Sequence, residues 1–227
     1  MSRLRIGTRG SALALAQTRM VAERLETDGQ VGVEIVTVTT SGDRGADVGD
    51  KSRWVDAIEE ALLAGEIDLA VHSAKDVPGE LAHGLDLLGA PARAGAEDVL
   101  CGAGDLDDLP AGARIGTSSV RRAAQLRAAR GDLDVVAMGG NVDTRLRTLE
   151  RGELDAIVLA HAGLQRLGRE DAVGAVLDPA RFVPAPGQGE RPIKVDHDPC
   201  GLFQLAARGK FVREAAGRAH RSDSVRA

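Results

Sequence analysis

The stretch "RIGTRGS" at Arg5–Ser11 returns as "RIGTSS" at Arg114–Ser119, and "EEALLAGEIDLAVHSA" at Glu59–Ala74 returns as "LRTLERGELDAIVLAHA" at Leu146–Ala162. One such echo is chance; two in the same order require two halves of like topology. Each half reads as a buried strand, then Gly-Thr, then a serine opening a helix, and later helix, Gly-Glu, acidic residue, buried strand, histidine, alanine. With 227 residues, 43% of them hydrophobic, the chain has enough apolar material for two small lobes, each with its own core.

The rest of the chain alternates short apolar runs with helical patterns, the signature of βα units and a mostly parallel sheet. Strands are expected at Leu4–Gly7, Val33–Thr39, Ile67–His72, Leu85–Ala90, Arg114–Gly116, Leu133–Met138 and Ala156–Ala160. Helices are expected at "SALALAQTRMVAERLETDG", "WVDAIEEALLAG", "SVRRAAQLRAARG" and "VDTRLRTLERG", most of them closed by a glycine in a left-handed cap. A hinge is expected through Gly89–Asp98. The expected division is lobe 1 at 1–91, completed by about 190–205, lobe 2 at 95–186, and a divergent tail at 191–227.

Charge and targeting signals exclude several roles. The formal net charge of -5 argues against a nucleic-acid partner, which calls for a concentrated basic face. No apolar run approaches the roughly 20 residues that span a bilayer, and "MSRLRIGTRG" lacks the apolar core of a signal peptide, so a cytoplasmic protein without membrane contact is expected. Cys101 and Cys200 stand far apart, outside any CxxC or Cys/His spacing, and no metal site is expected.

The polar residues gather where helices begin. Arg9 and Ser11 precede the first helix; Thr117, Ser118, Ser119, Arg121 and Arg122 open the equivalent helix of the second half. Free amides and the helix dipole attract anions at such places. Arginines in a first turn oppose that dipole, so Arg121 and Arg122 call for an anion. Arg145, after "GGN", and Arg166, after the last repeat strand, add two more guanidiniums suited to carboxylates. In "IDLAVHSAKDVP" a buried strand ends on Ser73, Lys75 and Asp76, where ligands of open α/β sheets gather, facing a cleft between the lobes.

In succession, "RIGTRGSALALAQ", "IDLAVHSAKDVP", "RIGTSSVRRAAQL", "GNVDTRL", "LDAIVLAHAGLQRLG" and "PAPGQGE" closely resemble the porphobilinogen deaminases, or hydroxymethylbilane synthases, from about Arg3 to Glu190. The resemblance implies two lobes of the type II periplasmic-binding-protein kind with mixed, mostly parallel sheets, plus a small third α+β domain. It implies a transferase of porphyrin and haem biosynthesis that joins four porphobilinogens head to tail with loss of ammonia. The cofactor implied is dipyrromethane, held by Ser73, Lys75, Asp76, Thr117, Ser119, Arg121, Arg122 and Arg166. Substrate contacts are implied at Arg9, Ser11 and Arg145. Asp76 is the implied catalytic carboxylate, set against the azafulvene cation that forms when ammonia departs. A monomer is expected.

Three departures stand out. Family members usually read "RGN" where this chain has Gly139, Gly140 and Asn141, and "GGKGLF" where it has "GDKSRW", with Lys51 and Trp54. After "PAPGQGE" the family continues with a strand returning to lobe 1 and a third domain whose "GGC" cysteine carries the cofactor; here the sequence reads "RPIKVDHDPCGLFQLAARGKFVREAAGRAHRSDSVRA", as a truncated or frame-shifted reading would. "ERPIKV" only poorly imitates the returning strand, "FQLAARGKFVREAAGRA" reads as a poorly packed tail or, alternatively, a basic helix, and Cys200 in "DPCGL" matches no attachment site. Two function classes stay open: a deaminase whose activity is in question without its cofactor cysteine, and a non-catalytic two-lobed protein that binds an acidic pyrrole or polycarboxylate. No helix-turn-helix segment supports a regulator.

Overall fold

In a computed structural model of the chain, residues 3–29, 31–40, 55–78, 82–87, 93–188 and 203–208 are described. The chain divides into two units, Met1–Pro91 with Leu202–Ala227 and Ala92–Gly201. Among the described residues each unit carries a five-stranded sheet, and the two sheets have the same plan.

In lobe 1, β1 (Leu4–Arg9), α1 (Ala12–Gly29), β2 (Val33–Val38), α2 (Asp56–Leu63), β3 (Leu69–Ser73) and β4 (Leu85–Leu87) are joined by a late strand, β10 (Phe203–Arg208), in the order β2-β1-β3-β10-β4. β1 runs parallel to β2 and β3, while β10 lies antiparallel to β3 and β4. In lobe 2, β5 (Asp98–Cys101), β6 (Arg114–Gly116), α3 (Val120–Ala129), β7 (Asp134–Val136), α4 (Val142–Glu150), β8 (Ala156–Ala160), α5 (His161–Leu167) and β9 (Ala175–Val176) build a sheet of order β7-β6-β8-β5-β9, with β5 antiparallel to its neighbours. Each sheet thus holds four parallel strands and one reversed strand, which in both lobes lies next to the edge.

The period-2 alternation of the strands divides each core in two. In lobe 1, Leu4, Ile6, Leu69 and Val71 pack with Val21 and Ala22 of α1, and Ala70 and Ile67 pack with Ile58 and Leu62 of α2 on the other face. In lobe 2, Ile115, Ala156 and Val158 meet Leu126 of α3, while Val99, Ile157 and Leu159 meet Leu146 of α4 and Leu164 of α5.

The sequence echo has an atomic counterpart. In lobe 1, Asp68 accepts from the Arg5 backbone N–H at 2.8 Å and returns its own N–H to the Arg5 carbonyl at 2.8 Å; in lobe 2, Asp155 does the same with Arg114 at 2.7 and 3.0 Å. Gly7 and Gly116 are equivalent, and for one reason: a Cβ would lie 2.2 Å from Ile67 Cδ1 in the first lobe and 2.6 Å from Leu154 Cδ1 in the second. The register corrects one detail. Ile6 pairs with Leu69 and Ile115 with Ala156, which makes Leu159 the partner of His72 in the repeat; His161 is two residues late and opens α5.

Other expectations also change. Asp98, assigned to the hinge, begins β5, a strand that the acidic start of "DVLC" concealed, and β9 is too short to leave a pattern. β7 is limited to Asp134–Val136 because its partner β6 ends at Gly116. Phe203–Arg208, expected as part of a poorly packed tail or of a basic helix, is a strand, where pairing on both sides with β3 and β4 outweighs the helix-favouring Gln, Leu, Ala and Arg. That strand fills the returning place sought in "ERPIKV". Residues 190–195, Cys200, Lys51, Trp54 and the remainder of the tail lie outside the described residues. Among the described residues no helix is long and apolar enough to cross a membrane.

Candidate functional site

In lobe 2 the polar cluster is built on the exit from β6. Thr117, 3% exposed, accepts the Ser119 N–H on its hydroxyl at 3.2 Å, and the Ser119 hydroxyl caps α3 by accepting the Arg122 N–H at 3.4 Å. The first turn then carries Arg121 and Arg122, and both guanidiniums converge on Asp98. Arg122 donates from Nη2 to Asp98 Oδ1 at 2.6 Å and from Nη1 to the Val158 carbonyl at 3.0 Å; Arg121 donates from Nη2 to Asp98 Oδ2 at 2.7 Å and from Nη1 to the Val183 carbonyl. Gln188, from "PAPGQGE", donates to Asp98 Oδ1 at 2.5 Å and to the Ala96 carbonyl at 3.0 Å.

The anion that two first-turn arginines demanded is therefore present inside the lobe, as a side chain. Burial alone would push the Asp98 carboxyl up, but the charge of Arg122 and hydrogen bonds from Arg122, Arg121 and Gln188 outweigh it and hold the carboxyl below its ordinary value. Nearby, Cys101 is fully buried, and burial raises its thiol to about 11 against a smaller opposing pull from Arg122, so it stays protonated and inert.

Arg145 joins this end of the lobe through α4. Asn141 caps that helix, its Oδ1 accepting the Thr144 N–H at 3.0 Å; Arg145 then reaches back, donating from Nη2 to the Ser118 hydroxyl at 2.8 Å and from Nε to the Gly140 carbonyl at 2.9 Å. Gly140 must be glycine here, with φ at 88° and Thr144 packed against it. Arg166 is more remote. It occupies the last turn of α5, roughly 9 Å along the axis from the end of β8, and is half-buried.

In lobe 1 the matching place is a pocket. Arg9, Ser11, Gln17, His72, Ser73 and Asp76 line it, with Leu13, Ala14 and Val71 as its apolar wall. The Ser11 hydroxyl accepts the Ala14 N–H at 3.3 Å, and Ser73 and the buried Gln17 amide hydrogen-bond at 3.1 Å across the sheet-to-helix gap. β3 ends at Ser73, and the 3₁₀ turn Ala74–Asp76 then turns Lys75 and Asp76 out of the sheet, both half-buried. Lys75 sits on that turn but not on the pocket wall.

Counted from the capping serines Ser11 and Ser119, Leu13 and Ala14 stand where lobe 2 has Arg121 and Arg122, and Gln17 stands where lobe 2 has Gln125. Leu13 and Ala14 line the lobe 1 pocket, whereas the arginines at the equivalent positions of lobe 2 reach Asp98. Gln17 was findable from this repeat, six residues after each serine. Asp98 and Gln188 left no such signal, and the histidine echo that took in His72 pointed to His161 rather than to its counterpart Leu159.

Burial first, and the charge of Arg9 second, lower the His72 imidazole to about 4, so it is neutral near pH 7. The unfolded chain takes up this proton near 6.5 and the folded one only near 4, so stability present above about 6.5 is lost on acidification through that window. The loss amounts to about 3 kcal/mol. His72→Gln is expected to flatten the fall of the melting temperature between pH 6.5 and 4, read by calorimetry; an unchanged slope contradicts the assignment.

A family model described as "Porphobilinogen deaminase, dipyromethane cofactor binding domain" matches residues 4–200. The chain is 52% identical over 193 residues to porphobilinogen deaminase of Thermus thermophilus, covering 84% of this chain and 64% of that sequence. It is 50% identical over 200 residues to the Deinococcus radiodurans protein of that name (83% and 65%), and 49% over 216 residues to that of Nitratidesulfovibrio vulgaris (91% and 69%). It thus spans just under two thirds of the first of these relatives. Among solved structures, an ABC transporter periplasmic substrate-binding protein from Coxiella burnetii superposes with a TM-score of 0.55 at 14% identity, covering 96% of this chain and 91% of that one. A Salmonella typhimurium periplasmic binding protein of high arginine specificity gives 0.51 at 11%, covering 99% and 93%. These likenesses place the fold among the type II periplasmic-binding-protein-like two-lobed proteins.

Proposed function

We propose, on the premise that this chain belongs to the porphobilinogen deaminase family, that it carries the residues with which a hydroxymethylbilane synthase binds porphobilinogen and drives the loss of ammonia. The observation that carries this reading is the lobe 1 pocket, where a carboxylate, Asp76, stands on the same wall as Arg9. A site that only bound carboxylates would gain nothing from Asp76, since it repels them; a site that develops positive charge on a pyrrole gains from it.

The described residues suit the family's dipyrromethane cofactor, whose side chains are acidic. The Nε–H groups of Arg121 and Arg122 are buried and have no hydrogen-bond partner among the described residues, which is the donor chemistry a carboxylate takes up. Thr117, Ser119, Arg121, Arg122 and Arg166 in lobe 2, and Ser73, Lys75 and Asp76 in lobe 1, would hold it. When bound, that group supplies the pyrrole carbon on which the chain is extended. Arg9, Ser11 and Arg145 take the carboxylates of porphobilinogen. Asp76 presents its carboxylate to the pyrrole N–H, accepting that hydrogen bond more strongly as positive charge grows on the ring. Neutral His72 keeps the wall beside Arg9 free of a second positive charge.

Calorimetric titration of the full chain with porphobilinogen tests this. Saturable binding is expected, weakened at least tenfold in Arg9→Ala; a parent chain that takes up no porphobilinogen contradicts the reading. The departure at Gly139 allows a gain-of-function test. Gly139 is exposed, a Cβ there meets nothing within 4 Å, and its backbone is outside the left-handed region. Gly139→Arg is therefore expected to fold normally and to bind porphobilinogen about fivefold more tightly, or about 1 kcal/mol; unchanged affinity would show that this position faces no substrate carboxylate.

A further inference from the structure

We propose that Asp98 is a positioning residue, a buried carboxylate that sets the guanidiniums of Arg121 and Arg122 in the orientation from which they meet an acidic ligand. The inference rests on the reading of those two arginines as ligand-holding groups. Asp98 itself cannot meet the ligand: its side chain is 1% exposed, and its two oxygens are taken, Oδ2 by Arg121 and Oδ1 by Arg122 and Gln188.

Apart from one backbone carbonyl each, Asp98 is what the described residues show holding the two arginines. They lie in the first turn of α3, where the helix dipole opposes a cation, and side by side, where like charges repel. One carboxylate between them offsets one of the two charges and leaves one in excess. It also fixes each planar fork. Arg122 is pinned on one side by Asp98 and the Val158 carbonyl, Arg121 by Asp98 and the Val183 carbonyl, and in each the Nε–H is the edge left without a partner among the described residues. Gln188 brings the "PAPGQGE" segment onto the same carboxylate, so three stretches of chain that are distant in sequence meet on this one side chain.

Positioning and charge make opposite predictions. Asp98→Asn keeps the shape but raises the local positive charge by one unit. If Asp98 only tuned the field, the variant would bind the dicarboxylic porphobilinogen more tightly; if it positions the arginines, the variant binds more weakly. We expect a weakening of at least tenfold by calorimetry, not restored by Asp98→Glu, which keeps the charge but is one methylene longer than the 2.6–2.7 Å contacts allow.

A second readout requires no ligand. The Arg121 and Arg122 Nε–H resonances, assigned through Arg121→Lys and Arg122→Lys, should be slow to exchange in the parent chain and lost in Asp98→Asn, while the amide resonances of β6, β7 and β8 stay in place. Should Asp98→Asn not fold, Gln188→Met removes a single donor to Asp98 and is expected to broaden the same two resonances and weaken binding about threefold. Unaltered Nε–H resonances, or tighter binding in Asp98→Asn, overturn the proposal. Failure of the parent to bind porphobilinogen overturns the reading of the ligand instead, and the resonances still decide whether Asp98 positions the arginines.

Discussion

On the proposed reading, Asp76→Asn will retain less than a tenth of any porphobilinogen turnover the parent chain shows, while binding porphobilinogen at least as tightly. The substitution keeps the planar shape of the side chain and its ability to accept a hydrogen bond, and it removes the charge. Asp76 lines the pocket with Arg9 and Ser11, half-buried on the 3₁₀ turn that follows β3, where it repels the carboxylates of an acidic ligand in the ground state. Removing it relieves that repulsion. In the proposed reaction the same charge is needed once ammonia departs and the pyrrole ring becomes cationic, when a nearby carboxylate would stabilise the transition state by more than it disfavours binding. A tenfold loss corresponds to about 1.4 kcal/mol of transition-state stabilisation. Turnover and calorimetry on the same preparation separate the two effects; a variant that retains more than a tenth of the rate removes the electrostatic role from Asp76.

Arg122→Met will destabilise lobe 2 by about 4 kcal/mol, because it takes from a buried carboxylate one of its two ion-pair partners. The Arg122 side chain is 8% exposed and that of Asp98 1%, so solvent cannot replace the lost partner. Arg121 and Gln188 remain on Asp98 and keep the loss from being larger. In a chain of this size the expected fall in melting temperature is about 10 °C. The acid side of the stability profile should change as well. The folded Asp98 carboxyl lies below its unfolded value, so its contribution is complete above the ordinary carboxylate pKa and is lost as pH falls through the folded one. The variant should show a shallower loss there, and a melting temperature within 2 °C of the parent at neutral pH would contradict the account.

The sequence disclosed most where the same constraint acts twice. The strand–Gly-Thr–serine–helix motif fixed β1 and α1, then β6 and α3, because a serine cap and a glycine under Ile67 or Leu154 leave few alternatives. It disclosed least where the determining partner is distant. β5 opens on an aspartate, which reads as a loop, and it is a strand because β8 and β9 hold it from both sides. "FQLAAR" has the composition of a helix and takes its form from β3 and β4. The candidate site divides likewise. Arg9, Ser11, Ser73 and Asp76 come together in one pocket and Thr117, Ser119, Arg121 and Arg122 in one cluster, all of them named from helix starts and strand ends. Asp98 was hidden because its meaning depends on two arginines that fold back onto it.

The reversed strand beside β3 sets a timetable for the chain. Lobe 2 receives its own reversed strand, β5, before its parallel strands are made, and its sheet can close as soon as β9 has been synthesised. Lobe 1 is begun first, yet Ser73 must wait for Phe203 and Leu87 for Ala206. The half made first is therefore the half finished last. Until then β3 and β4 each present an open edge of backbone donors and acceptors, the exposure that favours pairing with another chain. Closing so long a loop also makes this pairing the slow step, so lobe 1 rather than lobe 2 is where the nascent protein would depend on a chaperone.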